Sequence, residues 1–173
     1  YQSKGARFVR PFLFPHTYDN SPASLMAMEF GAQASHMNFS GAAAGALAVF
    51  AAFDAIARGD VHSALVCGGD WTGAASLLLS DEPGDDGCEM IACGIGVDLT
   101  SAQAQVCALS PQAESAGWLE PHPALSGLAG AARLPLCLAL AAQERSSGLV
   151  SGGADGCRTV FLIGFAEKSG NGC

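Results

Sequence analysis

The sequence predicts an α/β domain organised around one buried helix. Residues 42–56 contain a single polar side chain, Asp54, so a helix over this range has almost no face suited to water. The segment 36–39 (His-Met-Asn-Phe) before it is predicted as a brief strand, and an apolar run at 61–67 follows it and leads into two glycines. Strand, helix and strand joined by short connections favour a right-handed crossover and a parallel strand pair.

The ends of this helix carry recognisable signals. Ser40 is suited to the N-cap, Arg58 places a cation near the negative end of the helix dipole, and Gly59 can adopt the left-handed exit conformation. The first turn consists of glycine and alanine, which leaves its amide groups open to a carbonyl oxygen or an anion. The same small residues are also what close packing against a neighbouring element requires, so both interpretations stay open.

The other elements follow from apolar spacing and from glycine and proline positions. In chain order the sequence predicts a helix at 23–32, a loop at 71–88, an antiparallel hairpin from 90–99 and 104–109, a loop at 110–123, a helix at 126–144 that Pro135 kinks or divides, a glycine-rich stretch at 148–156 and a last strand at 158–165.

Composition narrows the class of protein. The chain has 173 residues, of which 50% are hydrophobic and 14% charged, which predicts one domain over residues 1–173 with a deep core or a large partner surface. No uninterrupted apolar run is long enough for a membrane span. The net charge of −8 argues against nucleic-acid binding. The odd number of cysteines, 7, predicts free thiols in a reducing compartment, the cytoplasm. Their spacing does not suit zinc, so no metal site is expected.

Several motifs occur in an order that resembles one known family. These are the helix ending in Gly59-Asp60, the strand ending in Gly68-Gly69, the segment Asp86-Gly87 followed by 94–99 (Gly-Ile-Gly-Val-Asp-Leu), and 126–130 (Ser-Gly-Leu-Ala-Gly) with Arg133. Together they resemble the β-ketoacyl synthases of the thiolase-like superfamily. The resemblance implies a thiolase-like layered fold, partial or compact because the chain is shorter than a full synthase, with a mixed sheet and a buried central helix.

The resemblance also implies an altered active site. In that family a strand leads into a sharp elbow that carries the nucleophilic cysteine, and counting back from Gly59 puts Ala42 at this position and Gly45 on the glycine that follows. A methyl group cannot accept an acyl group, so condensation by this chain alone is not expected. Gly41, Ala42, Ala43 and Gly45 would then bind substrate by keeping a channel open for an acyl or pantetheine group. The alternative is that this region is a closed and inactive remnant.

Two residues remain as candidate catalytic groups. Ser40 is an alternative nucleophile, against its simpler role as the helix cap. His122 lies between two prolines and is either an ordered loop histidine or a group that faces a functional pocket. Cys67 ends an apolar strand and is expected to belong to the core.

The function that the resemblance implies is that of a non-catalytic ketosynthase-like subunit, similar to a chain-length factor, in fatty-acid, polyketide or aryl-polyene biosynthesis. Its partners would be a ketosynthase or a second copy of the chain, together with an acyl carrier protein. No cofactor is expected beyond the phosphopantetheine arm of that carrier. Two alternatives stay open: a malonyl or acyl thioester decarboxylase or acyltransferase that uses a non-cysteine site, and a homodimeric interaction protein that retains the fold.

Overall fold

The computed structural model describes residues 21–32, 36–70, 73–82, 88–120, 122–125 and 130–165. The chain divides into two compact units, residues 1–39 and 40–173. The expectation of a single domain over 1–173 stays a prediction. In the first unit, helix α1 spans Ser21–Glu29, close to the predicted 23–32. Residues 36–39 form no strand, so the strand predicted before the central helix is wrong.

The central helix of the second unit is confirmed. Helix α2 spans Ala44–Ala57, and its first turns are the most buried part. Asp54 forms an ion pair with Arg58 at the exposed end of the helix, at 3.2 Å, which accounts for the one polar residue in the run. Gly59 has φ +74°, the left-handed exit that its position predicts.

A two-stranded antiparallel sheet follows α2. Strand β1 spans Ser63–Asp70 and strand β2 spans Gly73–Ser80, and they pair antiparallel along their whole length. The predicted loop over the β2 region is wrong: small residues conceal an alternation of half-buried and exposed side chains that is typical of a strand with one face covered. Because β1 pairs with its hairpin neighbour, the predicted parallel pair, and with it the mixed sheet, is also wrong.

The second sheet has three antiparallel strands in the order β3-β5-β4. Strand β3 spans Cys88–Gly96, β4 spans Gly148–Ala154 and β5 spans Cys157–Phe165. The predicted last strand is thus confirmed as β5, and it lies in the centre of the sheet. Its apolar side chains alternate between two core clusters, one on each face, so the middle of this strand is buried on both sides.

Two further helices complete the second unit. Helix α3 spans Leu99–Leu109, where the sequence predicts the second arm of a hairpin. The hairpin is wrong because the Asp98 side chain accepts a hydrogen bond from the Ser101 amide at 2.7 Å and forms a capping box that starts a helix. Helix α4 spans Arg133–Glu144. Pro135 lies in its first turn, where the missing amide costs nothing, so it neither kinks nor divides this helix.

The layers of residues 40–173 follow from the core contacts. Helices α2 and α4 pack between the two sheets, in one cluster that includes Val66 of β1, Val150 of β4 and Phe161 of β5. Helix α3 packs on the opposite face of the three-stranded sheet through Ala102 and Val106. The order is therefore sheet, helices, sheet, helix, an α/β arrangement as expected. Within the described ranges, no helix has both the length and the apolar character needed to cross a membrane.

Candidate functional site

The turn before α2 is tight, although residues 36–39 before it form no strand that leads into it. Gly41 has φ +97°, a left-handed conformation that glycine adopts without strain. The amide of Ala44 donates to the carbonyl oxygen of Gly41 at 3.1 Å and closes the turn. Ala42 and Gly41 are exposed, and Ala43 is half-buried. The position of the expected nucleophile is therefore reachable, but it carries only a methyl group.

The predicted cap of this helix is wrong. The N-cap residue of α2 is Ala43, and no side chain makes a capping hydrogen bond there. Ser40 is exposed and precedes the turn instead. The reason is that the tight turn at Gly41 delays the first helical residue to Ala44, which leaves the Ser40 hydroxyl too early in the chain to reach the N2 or N3 amide.

The start of α2 contacts a segment from much later in the chain. Gly45 is buried, and a Cβ atom there would overlap the carbonyl oxygen of Ala131 in the short 3₁₀ helix Gly130–Ala132. A Cβ atom at Gly68 of β1 would overlap the same oxygen. Both glycines are thus required by the close approach of one backbone carbonyl. Helix α2, strand β1 and residues 130–132 meet at this point.

The start of α2 offers backbone amide groups and small side chains. Ala42 offers no nucleophile, and its exposed methyl group lies beside the first turn of α2. The positive end of the helix dipole favours a carbonyl oxygen or an anion at this end of α2. The four residues that the resemblance assigns to substrate binding lie in this single turn: Gly41, Ala42, Ala43 and Gly45.

His122 belongs to a different site. Its Nε2 atom lies 3.0 Å from Oε1 of Glu144, with 35% and 49% of the two side chains exposed. Both residues line a cavity of about 240 Å³ together with Cys137 and Ala141. Cys137 and Glu144 are two turns apart on α4 and so lie on the same face of that helix. Burial raises the pKa of the Cys137 thiol, so this thiol needs a base before it can act as a nucleophile.

The other described cysteines divide between core and surface. Cys93 is buried, and this burial, with a smaller contribution from the charge of Asp54, raises the pKa of its thiol to about 12. Cys67 is exposed, so its expected place in the core is wrong: its side chain lies on the uncovered face of the β1–β2 sheet. The structure shows free thiols at five cysteines: Cys67, Cys93, Cys107, Cys137 and Cys157.

A second, larger cavity of about 410 Å³ opens beside the three-stranded sheet, between Glu89, Gln112, Ser147 and Leu162. It contains none of the residues that the sequence singles out. In the part of the chain that the structure describes, no three metal-ligating side chains are grouped closely enough to hold an ion.

Comparison with known proteins adds no relative: no family model matches the chain, and neither a curated protein nor a solved structure matches it.

The structure therefore separates the predicted site residues into two places. Ser40 lies just before the elbow turn, whereas His122 lines the cavity at the last turns of α4. Sequence reasoning missed both cavity partners of His122, Cys137 and Glu144. Their spacing of two helical turns was the available signal, but nothing in the sequence shows that His122 lies against that face. Residues 126–129, which carry part of the family resemblance, lie outside the described residues, as does Asp86-Gly87.

Proposed function

We propose that this chain is a non-catalytic β-ketoacyl-synthase-like subunit with a thiolase-like layered fold, which shapes an acyl-chain pocket for an acyl-carrier-protein-dependent partner. That partner is a ketosynthase or a second copy of the chain, in fatty-acid, polyketide or aryl-polyene biosynthesis. The carrier protein presents the acyl group on its phosphopantetheine arm, in the cytoplasm. The elbow carrying Ala42 binds and orients that group and does not form a covalent bond with it.

The observation that carries the proposal is the meeting of three sequence segments at Ala131. The resemblance rests on the elbow helix, on the strand that ends in Gly68-Gly69 and on the segment that ends at Arg133. These segments are far apart in the sequence, yet Gly45, Gly68 and the backbone of residues 130–132 are in direct contact. This contact supports the proposal that the three motifs contribute to one site. The placement of α2 between two sheets supports the same fold.

Binding of octanoyl-pantetheine tests this proposal. Isothermal titration calorimetry should detect binding to the wild-type chain, and Ala42→Trp should abolish it because the indole fills the space beside the elbow. Ala57→Trp is the matched control, since Ala57 is an exposed alanine at the opposite end of the same helix. Equal affinities in the two tryptophan variants, or no binding to the wild-type chain, would refute an acyl pocket at the elbow.

The cavity that His122, Cys137 and Glu144 line together favours a second candidate function, acyl-thioester chemistry at that cavity. There the imidazole takes the proton of the Cys137 thiol while Glu144 stabilises the imidazolium. The thiolate sulfur forms a bond to the thioester carbonyl carbon, and the carbon–sulfur bond to pantetheine breaks. The departing thiolate takes the proton from His122, which leaves an acylated Cys137 and free pantetheine. Water then hydrolyses the acyl enzyme, or an acceptor takes the acyl group.

Release of pantetheine thiol from octanoyl-pantetheine separates the two functions. Turnover that disappears in both His122→Ala and Cys137→Ser, but persists in the exposed-histidine control His36→Ala, would establish the second function. Binding without turnover agrees with the first function and rules out the second.

A further inference from the structure

The larger cavity, of about 410 Å³, lies on the face of the three-stranded sheet that α3 covers. Its floor is the end of the central strand β5 at Leu162 and Gly164. Its walls come from the start of β3, from the segment that follows α3 and from the segment that precedes β4. A cavity of this size is within the range of small-molecule sites. Neither function proposed above uses it.

A β-bulge shapes the floor of this cavity. Glu89 lies opposite Gly164 and Ala92 lies opposite Leu162, so β3 has one residue more than β5 between these two pairs. A bulge redirects a side chain, and Ile91 packs toward the α3 side of the sheet together with Ala92. A Cβ atom at Gly164 would lie 2.7 Å from Cδ1 of Ile91. Ile91 therefore lies over this glycine and makes the floor apolar.

Polar side chains surround the apolar floor. Glu89 lies on β3, on one side of the central strand, and Ser147 directly precedes β4, on the other side. Gln112 comes from the short 3₁₀ helix Pro111–Glu114 after α3. All three side chains line the cavity and have oxygen atoms that accept hydrogen bonds. An apolar floor with a few convergent polar groups is typical of a small-molecule site.

Glu89 determines the charge of this cavity. Among the described residues that line it, Glu89 alone is charged, and within the described ranges no cationic side chain forms an ion pair with it. Gln112 and Ser147 add acceptor oxygens but no compensating charge. The net charge of −8 of the whole chain adds to the attraction of a cation.

We propose that this cavity binds a primary ammonium ion that carries a small apolar group. The ammonium donates to the Glu89 carboxylate and to the oxygens of Gln112 and Ser147. An ammonium has three N–H donors and no acceptor, which matches a rim of three side chains with acceptor oxygens. The apolar group lies against Ile91 and Leu162, where its removal from water favours binding. This inference does not depend on the proposed function, because neither the start of α2 nor the His122 cavity contributes a residue to it.

Titration with isopentylammonium chloride, followed by amide NMR spectroscopy, tests the inference. The amide signals of Ile91, Gly148 and Gly164 should shift at millimolar concentrations, because a small ligand held by exposed polar groups binds weakly. Isopentyl alcohol has the same apolar group without the charge and should bind more weakly. Isovalerate has the opposite charge and should leave these signals unchanged.

Four variants test the roles of the rim. Glu89→Gln should raise the dissociation constant for isopentylammonium about three- to fivefold, as expected for an ion pair with an exposed carboxylate. Glu114→Gln is the matched control, because it removes the same charge at an exposed position that does not line the cavity. Ser147→Trp should abolish the shifts by filling the cavity. Ser151→Trp, at an exposed serine of β4 outside the cavity, should leave them unchanged.

Circular dichroism checks that these variants keep the fold, since all four positions are exposed. The inference is overturned if the wild-type signals do not shift, if the alcohol binds as tightly as the ammonium, or if Glu89→Gln and Glu114→Gln change the dissociation constant equally. Shifts that persist in Ser147→Trp would also overturn it.

Discussion

Replacing Gly45 and Gly68 by alanine, singly and together, measures how residues 130–132 dock on the start of α2. The Ala131 carbonyl carbon lies 2.8 Å from the position of a Cβ atom at either glycine, and the carbonyl oxygen lies closer still. Each alanine therefore requires a backbone atom to move, and a backbone carbonyl cannot rotate away as a side chain can. Overpacking of this kind costs about 1–3 kcal/mol, and we expect about 3 kcal/mol at both positions.

The preference of helices and strands for alanine over glycine offsets part of this overpacking cost. Alanine is favoured over glycine by about 1 kcal/mol inside a helix and by about 0.5–1 kcal/mol inside a strand. The net loss in the free energy of unfolding is then about 2 kcal/mol for each single variant. A single movement of the Ala131 carbonyl relieves both overlaps, so the double variant incurs the overpacking cost only once. Its free energy of unfolding should fall by about 1–2 kcal/mol, whereas two independent effects would give about 4 kcal/mol.

Urea unfolding followed by circular dichroism at 222 nm provides the three free energies. Gly117→Ala is the control, because a Cβ atom at Gly117 meets no other atom within 4 Å; its free energy of unfolding should change little. Additivity of the two substitutions within about 0.5 kcal/mol would refute a shared contact. A Gly45→Ala variant more stable than the wild type would show that Ala131 does not pack against α2.

Three other predictions concern polar groups. Thr159 is fully buried and its Oγ1 has no hydrogen-bond partner among the described residues. Because Thr159→Val removes this unsatisfied hydroxyl, it should raise the free energy of unfolding by about 1–3 kcal/mol. A lower free energy of unfolding, measured with urea, would contradict this. The Ser101 amide lowers the pKa of Asp98 below the ordinary 3.8, so the ionised Asp98 cap stabilises α3 above pH 3.8 and loses this effect as the pH falls through the lowered pKa. The difference in the free energy of unfolding between the wild type and Asp98→Asn should therefore become smaller in acid. A difference that stays constant would argue against the cap. Asp81 raises the pKa of His62 above 6.5 through a 2.8 Å hydrogen bond and through its charge, so this pair stabilises the fold below pH 6.5 and loses its effect as the pH rises through the raised pKa. NMR titration should show that the His62 pKa falls in Asp81→Asn. An unchanged value would show that the pair does not form in solution.

Sequence patterns predicted the elements whose signal is long and local. The apolar run of α2, the continuous apolar run of β5 and the spacing of α1 each identify their element without tertiary information. The exit at Gly59 is likewise a local property of the chain. Such elements depend on propensity and on the period of apolar residues, both of which are visible in a single sequence.

The errors lie where tertiary contacts decide the structure. Strand β4 lies in the stretch that the sequence identifies only as glycine-rich. A Cβ atom at Gly152 would lie 2.9 Å from the Leu134 side chain, so this glycine allows α4 to approach the strand. Strand β2 has small residues that hide its alternation. The pattern at 36–39 suits a strand, yet no partner strand pairs with it among the described residues.

The candidate site shows the same division. The tight turn before α2 was predictable because Gly41 and the first turn of the helix are adjacent in sequence. The contact of Gly45 and Gly68 with Ala131 was not, because it depends on how distant segments pack. The cavity of His122 required the position of α4 relative to the loop before it.

Acylation of Ala42→Cys tests most directly whether the elbow is an acyl site that has lost its nucleophile. Octanoyl-pantetheine is added to this variant and to Ala57→Cys, and the acylated peptides are quantified by mass spectrometry over time. We expect the thiol at position 42 to be acylated faster than the thiol at position 57, because the first turn of α2 binds the thioester carbonyl and the far end of the helix does not. Equal rates at the two positions, or no acylation at position 42, would contradict the account.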